Sequence, residues 1–97
     1  HPYGFYQLDL IIGGAKRGMA TDMDGRLTPF EDFTAERGRV RGVYRFRPPK
    51  AYRGWMAEEF RVEVDLHAWE GRLQGLLRFT SKRPGDLWIV PITMERV

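Results

Sequence analysis

The chain has 97 residues, a formal net charge of +3, 42% hydrophobic and 30% charged residues, a balance that fits one small soluble domain and excludes a largely disordered chain. It contains no cysteine, which removes disulfides, thiol catalysis and thiolate metal sites. The longest apolar run, Leu10, Ile11 and Ile12 followed by Gly13, Gly14 and Ala15, is too short to span a bilayer, and no signal-peptide pattern is visible, so no membrane span and a cytoplasmic location are expected.

In chain order, residues 4–12 alternate as a strand, with Tyr6, Leu8, Leu10 and Ile12 on one side and Phe5, Gln7, Asp9 and Ile11 on the other. Gly13, Gly14 and Gly18 break it. Residues 19–27 then predict a hairpin about Asp24-Gly25, because that dipeptide supplies the positive φ angles of a tight turn. Thr28-Pro29-Phe30-Glu31 has the form of a capping box with proline at the first helical position, so one short helix is predicted near residues 29–37. Phe30, Phe33 and Thr34 share one face of it, and Gly38 would end it. Two turns do not hold alone in water, so Phe30 and Phe33 must dock on the sheet.

Four further strands come next. Over residues 38–46, Gly38, Val40, Gly42, Tyr44 and Phe46 lie on one face and Arg37, Arg39, Arg41, Val43, Arg45 and Arg47 on the other; Pro48-Pro49 ends the strand. Residues 59–69 point Phe60, Val62, Val64, Leu66 and Ala68 inward. Residues 72–80 point Leu73, Gly75, Leu77 and Phe79 inward. A hairpin tip at Glu70-Gly71 pairs Ala68 with Leu73, Leu66 with Gly75, Val64 with Leu77 and Val62 with Phe79. The outward pairs are then His67 with Gln74, Asp65 with Leu76, Glu63 with Arg78 and Arg61 with Thr80. A slip of one residue would set Glu63 against Leu77 or Phe79, so the pattern fixes the parity. Residues 87–96 offer Trp88, Val90, Ile92 and Met94 to the core, and Pro91 places this strand at an edge. The fold class is therefore all-β, mainly antiparallel, with five to six strands in a small barrel or sandwich. In size it resembles an OB-type barrel, a likeness of architecture that implies nothing about function.

Charge is unevenly distributed. Seven cations and no acid occupy residues 37–57, directly after five acids and one cation in residues 20–36. Arg39, Arg41, Arg45 and Arg47 lie on one strand face whose successive positions are about 6.5 to 7 Å apart, with Val43 interrupting the row; that spacing is close to the phosphate repeat of an extended single strand, and guanidinium grips phosphate bidentately. Lys50, Tyr52, Arg53 and Trp55 lie just beyond, adding cations and two rings on which bases can stack. These eight residues are the candidate site of a non-catalytic domain that binds a polyanion, with single-stranded nucleic acid the expected partner. The competing reading is an interaction module or subunit of a larger assembly, in which the same arginines meet an acidic protein surface. A third reading is a small barrel binding an apolar ligand, although Tyr6, Tyr44, Phe46, Val62, Leu77 and Trp88 are enough to fill one. Glu59, Glu63 and Asp65 stand on the outer face of the next strand and would neutralise part of the arginine row by cross-strand pairing.

Other constellations are weaker. Asp22, Asp24, Gly25, Leu27, Thr28 and Glu31 resemble the calcium-binding EF-hand loop at its positions 3, 5, 6, 8, 9 and 12. Ala20 stands where that loop begins with aspartate, however, and residues 13–18 make a poor incoming helix. A polar hairpin tip explains the same residues. Asp65 and His67 share a strand face, but no third ligand completes a metal site, and the lone Ser81 cannot be assembled with them into a triad. Gly13 to Gly18 lacks the spacing of a phosphate loop. No catalytic residue, metal or cofactor is expected. Trp55, in a cationic loop, and Trp69, on the polar face by parity, either stand partly exposed at an interface or fold back over the sheet to cover apolar area.

Overall fold

In the computed structural model, residues 9–21, 26–52 and 54–95 are described. They form eight strands: β1 Asp9–Gly14, β2 Arg17–Thr21, β3 Leu27–Pro29, β4 Glu31–Glu36, β5 Arg39–Phe46, β6 Phe60–Trp69, β7 Arg72–Thr80 and β8 Leu87–Glu95, with a 3-10 turn at Lys50–Tyr52. Every pairing is antiparallel. The strands lie in two sheets, ordered β1-β2-β3 and β4-β5-β6-β7-β8. The fold is all-β, as the alternating pattern predicts. The sheets do not close into a barrel, which removes the lumen that an enclosed apolar ligand would need.

The β6–β7 hairpin has the register that apolar parity demands. Val62 faces Phe79, Val64 faces Leu77, Leu66 faces Gly75 and Ala68 faces Leu73, while Glu63 faces Arg78 and His67 faces Gln74. Its tip is the two-residue turn Glu70-Gly71, with φ of 49° and 78°, the positive pair of a type I′ turn whose twist suits a hairpin. β2 and β3 pair with Thr21 opposite Leu27, so the arms of the predicted Asp24-Gly25 hairpin are present. That tip and residues 1–8, which hold most of the first predicted strand, lie outside the described residues.

The predicted helix near residues 29–37 is absent; the segment is strand. β4 pairs with β5, Glu31 opposite Val43 and Thr34 opposite Arg41. Three residues on β4 therefore span two on β5, and Asp32 is the extra one, at φ 48°, a conformation that aspartate tolerates better than most residues. This bulge is why the segment has a helix-like pattern. Inserting one residue puts Phe30 and Phe33 on the same side of a strand, which is the i, i+3 spacing that also marks a helix face. A capping box is a local preference, and β-pairing to a long neighbouring strand overrides it. The docking of both rings holds: Phe33 is buried and Phe30 meets Tyr44 edge-on at 5.2 Å. Arg37 and Gly38, expected at the helix end and in the arginine row, form instead the β4–β5 turn at φ 55° and 73°.

The bulge also joins the sheets. β3 pairs with β2, and β4, one residue later, pairs with β5, so the chain changes sheet at this corner. Phe30 N–H donates to the Gly18 carbonyl at 3.0 Å, and Ala35 N–H donates to that of Ala15 at 2.8 Å. Phe33 packs on Gly18, and Phe30 packs on Gly42, where a Cβ would come within 2.6 Å of its ring. Close approach is what both glycines provide. Tyr44, Phe60, Val62, Leu66 and Leu77 form the fully buried centre. On the edge strand β8, Val90, Ile92 and Met94 pack against this core. Trp88, predicted to be inward, lies against Phe60 at 5.1 Å but keeps 45% of its surface exposed, because it sits at the margin of the sheet.

Candidate functional site

β5 presents Arg39, Arg41 and Arg45 outward, because Val40, Gly42, Tyr44 and Phe46 alternate with them into the core, and Arg47 follows directly after its end; all four are exposed. β6 lies alongside, with Arg39 opposite His67, Arg41 opposite Asp65, Val43 opposite Glu63 and Arg45 opposite Arg61. The two ends of the arginine row therefore differ in charge.

At the upper end, Arg39 donates through Nε and Nη2 to both carboxylate oxygens of Asp65, at 3.0 and 2.9 Å. The hydrogen bonds from Arg39 hold the Asp65 carboxyl below the usual carboxylate range, opposed by burial and aided to a lesser extent by the charges of Arg39, Arg41 and His67. Arg41 has no ion pair of its own among the described residues but stands beside this neutralised pair. Cross-strand neutralisation is thus real here. It is incomplete elsewhere, because Glu63 turns to Arg61 and Arg78 rather than to the row.

The lower end is different. Among the described residues Arg45 pairs with Glu31 alone, at 3.8 Å, and Arg47 reaches Glu59 at 3.4 Å, all four groups being substantially exposed; such pairs are weak and screened by salt. Arg45 and Arg61 stand directly opposite each other across the β5–β6 ladder. Like charges in that position repel. Both line an open cleft of about 650 Å³ together with Lys82 and Arg83, against the two carboxylates Glu58 and Glu59. Among the described residues, neither Lys82 nor Lys50 has an ion pair.

Two short loops flank this cleft and contribute Met56, Ala57, Ser81, Lys82 and Arg83 to its lining, whereas Arg47, Lys50, Tyr52 and Trp55 do not line it. After the 3-10 turn, Trp55 N–H and Met56 N–H donate to the Tyr52 carbonyl at 3.3 and 3.0 Å, fixing the chain as it leaves Pro49. Trp55 is 63% exposed, with its ring edge-on to Tyr52 at 5.5 Å. Arg83 Nη1 donates to the Trp55 carbonyl at 3.1 Å and so ties the two loops together. Ser81 locks its own loop: Oγ donates to Asp86 at 2.6 Å and accepts from Arg83 N–H at 3.0 Å. Its partner is a turn aspartate, far in sequence from the His67 and Asp65 face.

The structure therefore places Arg45 in the cleft, Trp55 at its edge through the hydrogen bond from Arg83, Tyr52 against Trp55, and Arg47 on the cleft residue Glu59; it sets Arg39 and Arg41 apart beside Asp65, does not bring Lys50 into the cleft lining, and leaves Arg53 outside the described residues. It adds Arg61, Lys82 and Arg83, which are not among the residues predicted from the sequence. A signal for them existed. Arg61 opposite Thr80 in the predicted hairpin places residues 82 and 83 just beyond, and pairing β6 to β5 would have set Arg61 against Arg45.

Among the described residues no group of three or more His, Asp or Glu side chains could hold a metal ion. Asp22, Asp24 and Gly25 of the EF-hand-like segment lie outside the described residues, and the chain beyond them runs into β3 and β4 rather than an outgoing helix. Trp69, like Trp55, is exposed, at 58%. Comparison with protein-family models, with curated proteins and with solved structures finds no match to this chain.

Proposed function

We propose that this is a non-catalytic binding domain for a polyanion, with single-stranded nucleic acid as the ligand and the cleft between β5, β6 and the two loops as its site. The observation that carries the reading is the face-to-face pair Arg45 and Arg61 in a cleft that also holds Lys82 and Arg83. Among the described residues Arg45 and Arg61 are offset only by the exposed Glu31 and by Glu63, which Arg78 shares, so a phosphate set between the two guanidiniums would add two attractions. Trp55, exposed and anchored by its backbone beside the same cations, supplies a platform for a base. The pairing of Arg39 with Asp65 shifts the working surface from the whole arginine row to its lower half.

A labelled single-stranded oligonucleotide titrated at rising salt tests this. Up to four phosphate contacts give a log–log slope near −3, at about −0.7 for each. Trp55→Ala should weaken binding by about 1 to 3 kcal/mol, roughly 5- to 150-fold, at unchanged slope. Absence of binding at low salt rejects the proposal, and an unchanged Trp55→Ala affinity removes the stacking platform from it.

A further inference from the structure

Lys82 and Arg83 are neighbours in the chain and both line the cleft, yet they are held differently. Arg83 opens the turn Arg83-Pro84-Gly85-Asp86, closed by a hydrogen bond from Asp86 N–H to the Arg83 carbonyl at 3.3 Å, with Gly85 at φ 85°. Proline at the second position and a glycine of positive φ at the third suit a type II turn, so the sequence sets this loop locally. The turn also closes on its own side chains. The Asp86 carboxylate, whose side chain is 20% exposed, accepts from the Ser81 hydroxyl at 2.6 Å and lies 3.9 Å from Arg83 Nε, while Arg83 N–H donates to Ser81 Oγ at 3.0 Å. From this fixed base the Arg83 side chain reaches the other loop, where Nη1 donates to the Trp55 carbonyl at 3.1 Å. Lys82, beside it, is exposed and has no ion pair among the described residues.

We infer that Arg83 is a positioning residue, a clasp that holds Trp55 ready for a base at the cleft edge, and not a phosphate contact. The inference rests on the proposed oligonucleotide site and divides its cations: Arg45, Arg61 and Lys82 meet phosphate, and Arg83 acts through Trp55. Charge sets the division. Asp86 offsets the Arg83 guanidinium within its own turn, as no acid does for Lys82 among the described residues. Trp55 is also the side chain that needs holding. It follows Gly54, where nothing lies within 4 Å of a Cβ, and it is 63% exposed, so little packing restrains it. A side chain that must be ordered as the ligand binds costs affinity, and fixing its backbone beforehand removes part of that cost.

Salt titrations of a labelled single-stranded oligonucleotide with Arg83→Met and Lys82→Met, each alone and combined with Trp55→Ala, test the clasp. Arg83→Met should weaken binding by roughly 2- to 13-fold, the cost of ordering one freed side chain, at unchanged salt slope. It should weaken binding no further once Trp55 is alanine. Lys82→Met should make the slope shallower by about 0.7 and cost the same affinity in both backgrounds. Inorganic polyphosphate has no base to stack, so it should bind Arg83→Met as it binds the wild type and Lys82→Met less well. Wild-type oligonucleotide affinity in Arg83→Met, a shallower slope, an equal loss in the Trp55→Ala background or weakened polyphosphate binding each overturns the clasp and leaves the proposed site standing. A wild-type chain that binds no oligonucleotide overturns both.

Discussion

Gly42→Ala probes the corner on which the fold turns. An added Cβ would stand 2.6 Å from Cδ2 of Phe30 and 3.2 Å from both Phe30 Cε2 and Phe33 Cδ1, whereas carbon atoms pack comfortably at about 3.5 to 4.0 Å. Phe30 would have to retreat by roughly 1 Å. It has little room, with Phe33 at 5.1 Å on one side and Tyr44 at 5.2 Å on another. Overpacking of this kind costs about 1 to 3 kcal/mol, offset by the roughly 0.4 to 1 kcal/mol gained when alanine restricts the unfolded chain. A net loss of about 1 to 2 kcal/mol corresponds to a fall in Tm of about 4 to 16 °C for a domain of this length. Thermal melts by circular dichroism, with Gly54→Ala as the control, measure it; nothing lies within 4 Å of a Cβ at Gly54. Combining Gly42→Ala with Phe30→Leu should recover part of the loss. If Gly42→Ala melts with the wild type, Phe30 does not rest on β5 and the strand assignment of residues 31–36 loses its main packing support.

The outer face and the cleft loop offer two further tests. Because Arg39 depresses the Asp65 carboxyl, the ionised pair stabilises the fold above the ordinary carboxylate range, and that contribution disappears as pH falls through the folded-state value. Carbon-13 titration should therefore find Asp65 below its usual range in the wild type and higher in Arg39→Gln; identical titrations would show the bidentate pair to be absent in solution. Ser81→Ala removes the Asp86 and Arg83 hydrogen bonds of the cleft loop and should cost about 1 kcal/mol of stability, together with a several-fold loss of oligonucleotide affinity at unchanged salt slope. Wild-type affinity in this variant would mean that Lys82 and Arg83 need no such support.

The parts of the fold legible in the sequence are those in which a strict period of two meets a short turn. β6 and β7 keep their inward apolar positions in step about Glu70-Gly71, so their register could be written residue by residue. β5 alternates as clearly, and the outward arginines are where parity puts them. The helix at residues 29–37 failed because a one-residue bulge and a helix face share the same spacing of phenylalanines, and only the pairing partner tells them apart. Closure into a barrel is likewise a property of how sheets meet, which alternation does not encode. For the site, strand parity identified which arginines face outward but not which of them Asp65 and Glu59 would neutralise. The opposition of Arg45 and Arg61 depends on strand order, which no single segment specifies.

Oligonucleotide affinity of Arg61→Gln measured beside that of Arg39→Gln bears most directly on the cleft. If phosphate sits between Arg45 and Arg61, Arg61→Gln weakens binding and makes the salt slope shallower by about 0.7, while Arg39→Gln, which removes a guanidinium outside the cleft lining, leaves both nearly unchanged. Equal losses from the two substitutions, or none from Arg61→Gln, would contradict a site at the lower end of the sheet.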